Sequence, residues 1–280
     1  MNEKGLGKRL QKARQAGKLT QQDLCYQAGL SYSTLAKIER GAIKSPSIFT
    51  ISQIAAVLGV SLDALVGTPT LAAKPKKRSK SGVRFVYFDI NGCLVRFFHR
   101  AFTKLANDTG APPDVVETAF WHHNDAVCRG EMSMKEFNQA LAKKLGVDTL
   151  DWQSYYLAAI DPIPEMQKLL KWANENYHVG LISNIMPGFI DAMKAKKFIP
   201  NLPYSALIDS SQVGAIKPEA KIYDAARQQA KCEPHEILLV DDSRNNIMAA
   251  ERLGWHVLWF DDYRPAESAE RVRSALEPEA

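Results

Sequence analysis

Residues 84–89 read RFVYFD, a short apolar run that stops at a carboxylate, and this form decides the fold of most of the chain. It returns as HVGLIS (178–183), SALID (205–209), ILLVD (237–241) and HVLWF (256–260). Each has the length and apolar character of a strand, and helical stretches such as PEMQKLLKWANENY (164–177) and PEAKIYDAARQQA (218–230) separate them. The alternation predicts a Rossmann-like α/β domain, a parallel sheet with helices on both faces. Polar residues at the carboxyl ends of such strands line a shared ligand crevice. Here those ends carry Asp89, Ser183 and the pair Asp241 and Asp242, with Lys217 after the third strand.

A carboxylate nucleophile, an acidic pair, a hydroxyl and a lysine together make a site for phosphate and Mg2+. The metal takes oxygen ligands and shares them with phosphate. Ser183 and the amides after it are expected to cradle phosphate at a helix N-terminus. Lys217 would offset the charge gathered by nucleophile and phosphoryl group. About 85 residues separate the first two strands, far more than a crossover needs. FHRAFTKLANDTG (98–110), DVVETAFWHHNDAVCRG (114–130), SMKEFNQALAKKLG (133–146) and DWQSYYLAAI (151–160) read as an inserted helical cap over about 98–160.

Upstream of residue 83 the character changes. Residues 1–82 carry 14 Lys and Arg against 4 Asp and Glu, whereas 83–280 carry 22 against 27. A compact basic segment is the footprint of a nucleic-acid binder, since its cations release counterions from phosphates. Leu6, Leu10 and Ala13 recur at helical spacing, and Thr20 with Asp23 three residues on is placed to cap a second helix ended by Gly29. A third helix is expected from Ser31 to Gly41, and two more at SIFTISQIAAVLG (47–59) and SLDALVG (61–67). Two short helices across a glycine turn form a helix-turn-helix. TPTLAAKPKKRSKSG (68–82) lacks an apolar period and reads as a basic flexible linker. The expected organisation is therefore multidomain: an all-α domain over 1–67, the linker, and the α/β domain over 83–280.

At 280 residues, with 46% hydrophobic and 24% charged residues, the chain is not disordered as a whole. No apolar run approaches the roughly 18 residues of a membrane helix, and MNEKGLGKRL lacks a secretory apolar stretch. A cytoplasmic location with no membrane partner is expected. Cys25, Cys93, Cys128 and Cys232 form no CxxC pair and read as reduced structural thiols.

LTQQDLCYQAGLSYSTLAKIERG (19–41) followed by LGVSLDALVG (58–67) resembles the lambda-repressor-like (Xre-type) DNA-binding family. The resemblance implies double-stranded DNA as partner, with Gln21 near a phosphate or adenine edge. It places Tyr32, Ser33, Thr34 and Lys37 toward the major groove, and Arg40 and Lys44 near the backbone. Leu24, Leu35, Ile38, Ile54 and Leu58 would be core. Such domains read half-sites as dimers, and since residues 1–67 hold no obvious dimer segment, a homodimer is expected through the larger domain.

FVYFDINGCL (85–94), LISN (181–184), GAIKPEAKIYDAA (214–226) and ILLVDDSRNNIMAAERLG (237–254) resemble the four ordered motifs of the haloacid dehalogenase superfamily. The wording is closest to the branch of the soluble epoxide hydrolase phosphatase domain and the sugar-phosphate phosphatases. True dehalogenases lack an acidic pair like Asp241 and Asp242, which favours phosphate chemistry. The resemblance implies that Asp89 attacks phosphorus to form an aspartyl-phosphate. It implies Mg2+ held by Asp89, the main-chain carbonyl of Asn91 and Asp242, with Asp241 behind them. Ser183 and Asn184 would bind the transferring phosphate, and Lys217 would bridge to it. The cap would select a phosphorylated small molecule, with His99, Arg100, Trp121, His122, His123 and Arg129 as candidates to face it.

One position departs from the family. Active relatives carry a second Asp two residues after the nucleophile, and this chain has Asn91. An amide cannot exchange a proton near neutral pH. General acid–base catalysis is worth ~10²–10⁴-fold, so turnover is expected to fall by that order. A natural sensor and an enzyme altered to trap a state both fit. The sequence thus points to a DNA-binding regulator whose second domain senses or processes a phosphorylated ligand. The alternatives are a working phosphatase with secondary DNA binding and a protein-interaction adaptor.

Overall fold

The computed structural model describes residues 5–60, 62–66 and 76–277. The chain divides into two compact units, Met1–Lys74 and Pro75–Ala280.

The first unit contains helices α1 (Leu6–Ala16), α2 (Gln21–Ala28), α3 (Tyr32–Glu39), α4 (Ile48–Leu58) and α5 (Leu62–Val66). Local chemistry sets their ends. Thr20 and Asp23 form a reciprocal capping box at α2, Ser31 caps α3 by accepting from Thr34 N, and Ser47 caps α4 by accepting from Thr50 N. Leu10, Leu24, Leu35, Ile38 and Ile54 are fully buried, while Leu58 is half-buried against them. α1 and α3 touch at Gly7, where a Cβ would lie 2.4 Å from the Glu39 carbonyl oxygen.

A buried ion pair locks the same contact. Arg14 Nε and Nη2 donate to the Glu39 carboxylate at 2.7 and 3.0 Å, and Arg14 Nη1 donates to Leu19 O at 2.9 Å. Removing one partner of a buried pair costs roughly 3–5 kcal/mol, because the other charge is stranded. Arg14→Met is therefore expected to cost about that much, read as faster hydrogen exchange of α1–α5 amides in the full chain. Unchanged protection would contradict the assignment.

The second unit is a three-layer α/β structure. Strands β1 (Phe85–Phe88), β2 (His178–Ser183), β3 (Ala206–Asp209), β4 (Ile237–Asp241) and β5 (His256–Trp259) form one parallel sheet in the order β3-β2-β1-β4-β5. All five strands lie where the apolar runs predict them. Side chains alternate across the sheet. Val86, Phe88, Leu181 and Val240 enter one core with Leu169 and Leu170 of helix α10 (Pro164–Asn176) and Val272 and Leu276 of α15 (Pro265–Leu276). Phe85, Tyr87, Ile182 and Leu239 enter the other with helices α13 (Ala220–Ala230) and α14 (Arg244–Arg252).

Between β1 and α10 the predicted insertion is helical: α6 (His99–Thr109), α7 (Pro113–Cys128), α8 (Met134–Leu145) and α9 (Trp152–Ala159). Phe98, Phe102, Phe120, Phe137 and Trp152 pack in an aromatic cluster continuous with the sheet core. Helix α11 (Phe189–Ala195) follows β2, and α12 (Ser210–Val213) follows β3.

The spacer expectation needs correction at its C-terminal end. Within 76–82, Lys77 N donates to Asn176 O at 2.6 Å, Lys76 Nζ donates to Asn174 O, and Ser79 is buried with its hydroxyl accepting from Val83 N. Arg78 also pairs with Glu236 at 2.9 Å. Cations that look like a solvated run are thus consumed by carbonyls and a carboxylate of the second unit. Residues 67–75 of the proposed linker lie outside the described residues. The four cysteines are buried and free. Among the described residues no helix is long and apolar enough to cross a membrane.

Candidate active site and nucleic-acid interface

The chain runs from β1 to β2 and β3 on one side, then returns to place β4 against the other edge of β1. This reversal opens a crevice at the carboxyl ends of β1 and β4. Asp89 directly follows β1, and its N–H donates to Val240 O at 2.9 Å, which draws the two strand ends together. Asp89, Asn91, Ser183, Asn184, Lys217 and Asp242 all line one cavity of about 500 Å³.

Its floor is a buried charge cluster. Lys217 Nζ lies 3.0 Å from Asp89 Oδ1 and 2.5 Å from Asp241 Oδ2, and donates to Ile182 O at 3.2 Å. Asp241, fully buried, also accepts from Ser243 N at 2.8 Å and from Asn246 Nδ2 at 3.0 Å. Burial alone would lower the Lys217 pKa, but the two carboxylates outweigh it and hold the ammonium charged. Asp89 Oδ1 accepts from both Lys217 and Ile90 N (2.7 Å), while Oδ2 takes no hydrogen bond among the described residues.

One ammonium does not balance three carboxylates. Asp89, Asp241 and Asp242 each offer an oxygen within 4.8 Å of the others. Burial, then neighbouring charge, pushes Asp89 up to about 6 and Asp242 up to about 7. Gly92 permits the crowding: its φ is +82°, and a Cβ there would lie 2.0 Å from Asp242 Oδ2. A hard-oxygen donor set with surplus negative charge fits Mg2+. Ser183 Oγ is buried and has no hydrogen-bond partner among the described residues, which suits an acceptor-rich group such as phosphate.

The raised pKa values set the direction of a pH effect. Between about pH 4 and 7 the folded state holds protons that the unfolded state releases, so without metal stability falls as pH rises through that window. Metal binding needs the deprotonated carboxylates, so its stabilisation should grow over the same range. At 100 times its Kd, Mg2+ should add about 2.7 kcal/mol, or roughly 5–10 °C in the melting of this unit at pH 8, and much less at pH 5. An equal shift at both pH values would contradict the assignment.

Several predicted roles are revised. Asn184 does not offer its amide to the cavity: Oδ1 accepts from Lys217 N at 2.7 Å and Nδ2 donates to Lys217 O at 2.8 Å, so it fixes the lysine backbone. No helix starts at Ser183, since α11 begins at Phe189 and Ile185 N already donates to Ser210 Oγ at 2.9 Å. Of the cap candidates, Trp121 lines the cavity. Arg100 donates to Ala159 O at 2.9 Å and pairs with Asp161, and Arg129 pairs with Glu219 at 2.6 Å. His122 and His123 line a separate cleft with Lys143 and Lys144. His99 is exposed beside the Phe97 ring and does not line the cavity.

Three cavity groups escaped the sequence reading. Asn124 and Asp125 line it with Trp121, and spacings of three and four residues put all three on one face of α7. Tyr156 of α9 donates to Asn91 Oδ1 at 2.5 Å. Burial pushes the Tyr156 phenol up, so it stays protonated as a donor.

In the helical unit Tyr32, Ser33, Lys37, Arg40 and Lys44 are exposed and Thr34 is half-buried. Ser33 and Thr34 hydroxyls bond the Ser31 cap at 3.2 and 2.8 Å. Gln21 departs from expectation, because its Nε2 donates to Glu39 Oε2 at 2.6 Å and so extends the Arg14–Glu39 pair. It still lines an open cleft with Lys18, Gln22 and Tyr32.

Comparison with known proteins agrees with both units. A helix-turn-helix family matches residues 10–65, and the haloacid dehalogenase-like hydrolase family matches residues 83–254. The chain is 42% identical over 66 residues to the immunity repressor protein of Bacillus phage phi105, covering 24% of this chain and 45% of that protein. It is 35% identical over 78 residues to bifunctional epoxide hydrolase 2 of Rattus norvegicus, covering 28% of this chain but only 14% of the relative. A haloacid dehalogenase family enzyme of Bacteroides thetaiotaomicron, crystallised with magnesium and inorganic phosphate, shares the fold. Its TM-score is 0.57 at 18% identity, over 65% of this chain and 95% of that one. With the sheet order, the strand-end carboxylates and the matched span in agreement, the chain belongs to the haloacid dehalogenase-like hydrolase family and carries an N-terminal DNA-binding helix-turn-helix domain.

Proposed function

We propose that the protein is a cytoplasmic, sequence-specific transcription regulator that binds double-stranded DNA as a homodimer. Its hydrolase-family domain binds a phosphorylated small molecule with Mg2+ and turns it over slowly. One observation carries this reading: Asp89, Ser183, Lys217, Asp241 and Asp242 stand assembled around one crevice, while the proton-transfer position beside the nucleophile is Asn91, held by Tyr156.

Mg2+ held by Asp89, Asp242 and the Asn91 carbonyl would offset the charge of the carboxylates and phosphoryl oxygens. Asp89 would attack phosphorus, forming its bond as the bond to the alcohol oxygen breaks. Ser183 would donate to a phosphoryl oxygen. Lys217 would hold Asp89 in place and balance the charge gathered there. The departing alkoxide then needs a proton, and the later hydrolysis needs a base. Asn91 supplies neither. Binding is thereby kept and turnover lost, which suits a sensor. The 78-residue match to the epoxide hydrolase supports the phosphatase branch of the family.

The test is a panel of phosphate monoesters offered with Mg2+ to this chain and to Asn91→Asp. Binding with slow release of phosphate from the native chain is expected. Release as fast as from the variant would overturn the reading.

A further inference from the structure

The cap side of the cavity has a composition of its own. Phe97, Trp121, Asn124 and Asp125 line it, and Lys217, already between Asp89 and Asp241, is the only basic residue lining the cavity among the described residues. The cap arginines expected to meet an anion are tied to Asp161 and Glu219 instead.

Trp121 packs against the Phe120 ring at 4.9 Å and 86° and remains 46% exposed. Phe97 stacks on Phe98 at 4.2 Å and is half-buried. Asp125 is exposed, makes no ion pair among the described residues, and accepts only from the neutral Asn124 Nδ2, at 3.1 Å. The wall therefore offers aromatic surface and an unmatched carboxylate. A second phosphate or a carboxylate on the ligand would meet repulsion there with no cation to relieve it. An ammonium group would gain both the ring quadrupoles and the carboxylate.

Resting on the reading that the cavity floor takes phosphate, we propose that the ligand is the phosphate monoester of an amino alcohol, its ammonium group held by Trp121, Phe97 and Asp125. These residues select the ligand and take no part in bond breaking.

Calorimetry on the full chain with Mg2+ tests this with four probes: inorganic phosphate, choline phosphate, its neutral carbon isostere 3,3-dimethylbutyl phosphate, and 3-phosphoglycerate. Choline phosphate should bind about tenfold more tightly than the isostere, and 3-phosphoglycerate more weakly than either. Asp125→Asn and Trp121→Ala should each shrink that preference several-fold while leaving inorganic phosphate affinity unchanged. Equal affinity for choline phosphate and its isostere, with inorganic phosphate bound, would overturn the proposal alone. Failure of inorganic phosphate to bind with Mg2+ would instead overturn the phosphate site on which it rests.

Discussion

Asn91→Asp should raise the turnover of a bound phosphate monoester by about 10²–10⁴-fold, the usual worth of a positioned acid–base group. The position is already built for it. Asn91 lines the cavity beside Asp89, and the Tyr156 hydroxyl meets its side-chain oxygen at 2.5 Å, a bond a carboxylate would accept equally well. Asn and Asp are nearly isosteric, so the change adds a proton-exchanging group without disturbing packing. Phosphate release at saturating Mg2+ is the readout. Equal turnover in both chains would mean that something other than residue 91 limits the reaction.

Lys217→Met should be the most damaging single change in the α/β unit. The ammonium stands between Asp89 and Asp241, both buried, and Asp242 adds a third negative charge nearby. Stranding buried carboxylates costs roughly 3–5 kcal/mol, or about 6–20 °C in melting temperature for a unit of this size. The carboxylates can escape the penalty by taking up protons, so the deficit should be largest near pH 8 and shrink toward pH 5. Thermal unfolding at the two pH values measures it. A loss below about 1 kcal/mol at pH 8 would contradict the charge balance assigned to the site.

The architecture was legible because its signals are local. Five apolar runs with a helix between them leave little choice but a parallel sheet, and Thr20, Ser31 and Ser47 announce helix starts through the hydroxyl each offers to the next turn. The strand-end carboxylates were legible for the same reason: a charge closing an apolar run must face a crevice or a partner. What escaped depends on partners distant in sequence. Nothing near Asn91 announces Tyr156, which arrives from the far end of the insertion, and nothing near Lys217 announces the clamp from Asn184. Arg100 and Arg129 look like anion receptors until Asp161 and Glu219 are seen to neutralise them. Asn124 and Asp125 could have been found. Once Trp121 is placed on the cavity face, the helical period carries them there with it.

Joining the two units in one function requires that occupancy of the cavity alter DNA affinity, and a ligand can do this only by binding one arrangement of the protein better than another. The most direct measurement begins by selecting duplexes with the full-length chain from a random pool. Affinity for the preferred duplex is then titrated with Mg2+ and beryllofluoride, a mimic of the phosphorylated Asp89 carboxylate. The account predicts a selected two-fold symmetric site whose affinity shifts by about 5-fold or more when Asp89 is occupied. The shift should be lost in Asp89→Asn. No sequence preference in the selection, or an unchanged affinity at demonstrated occupancy of Asp89, would contradict it.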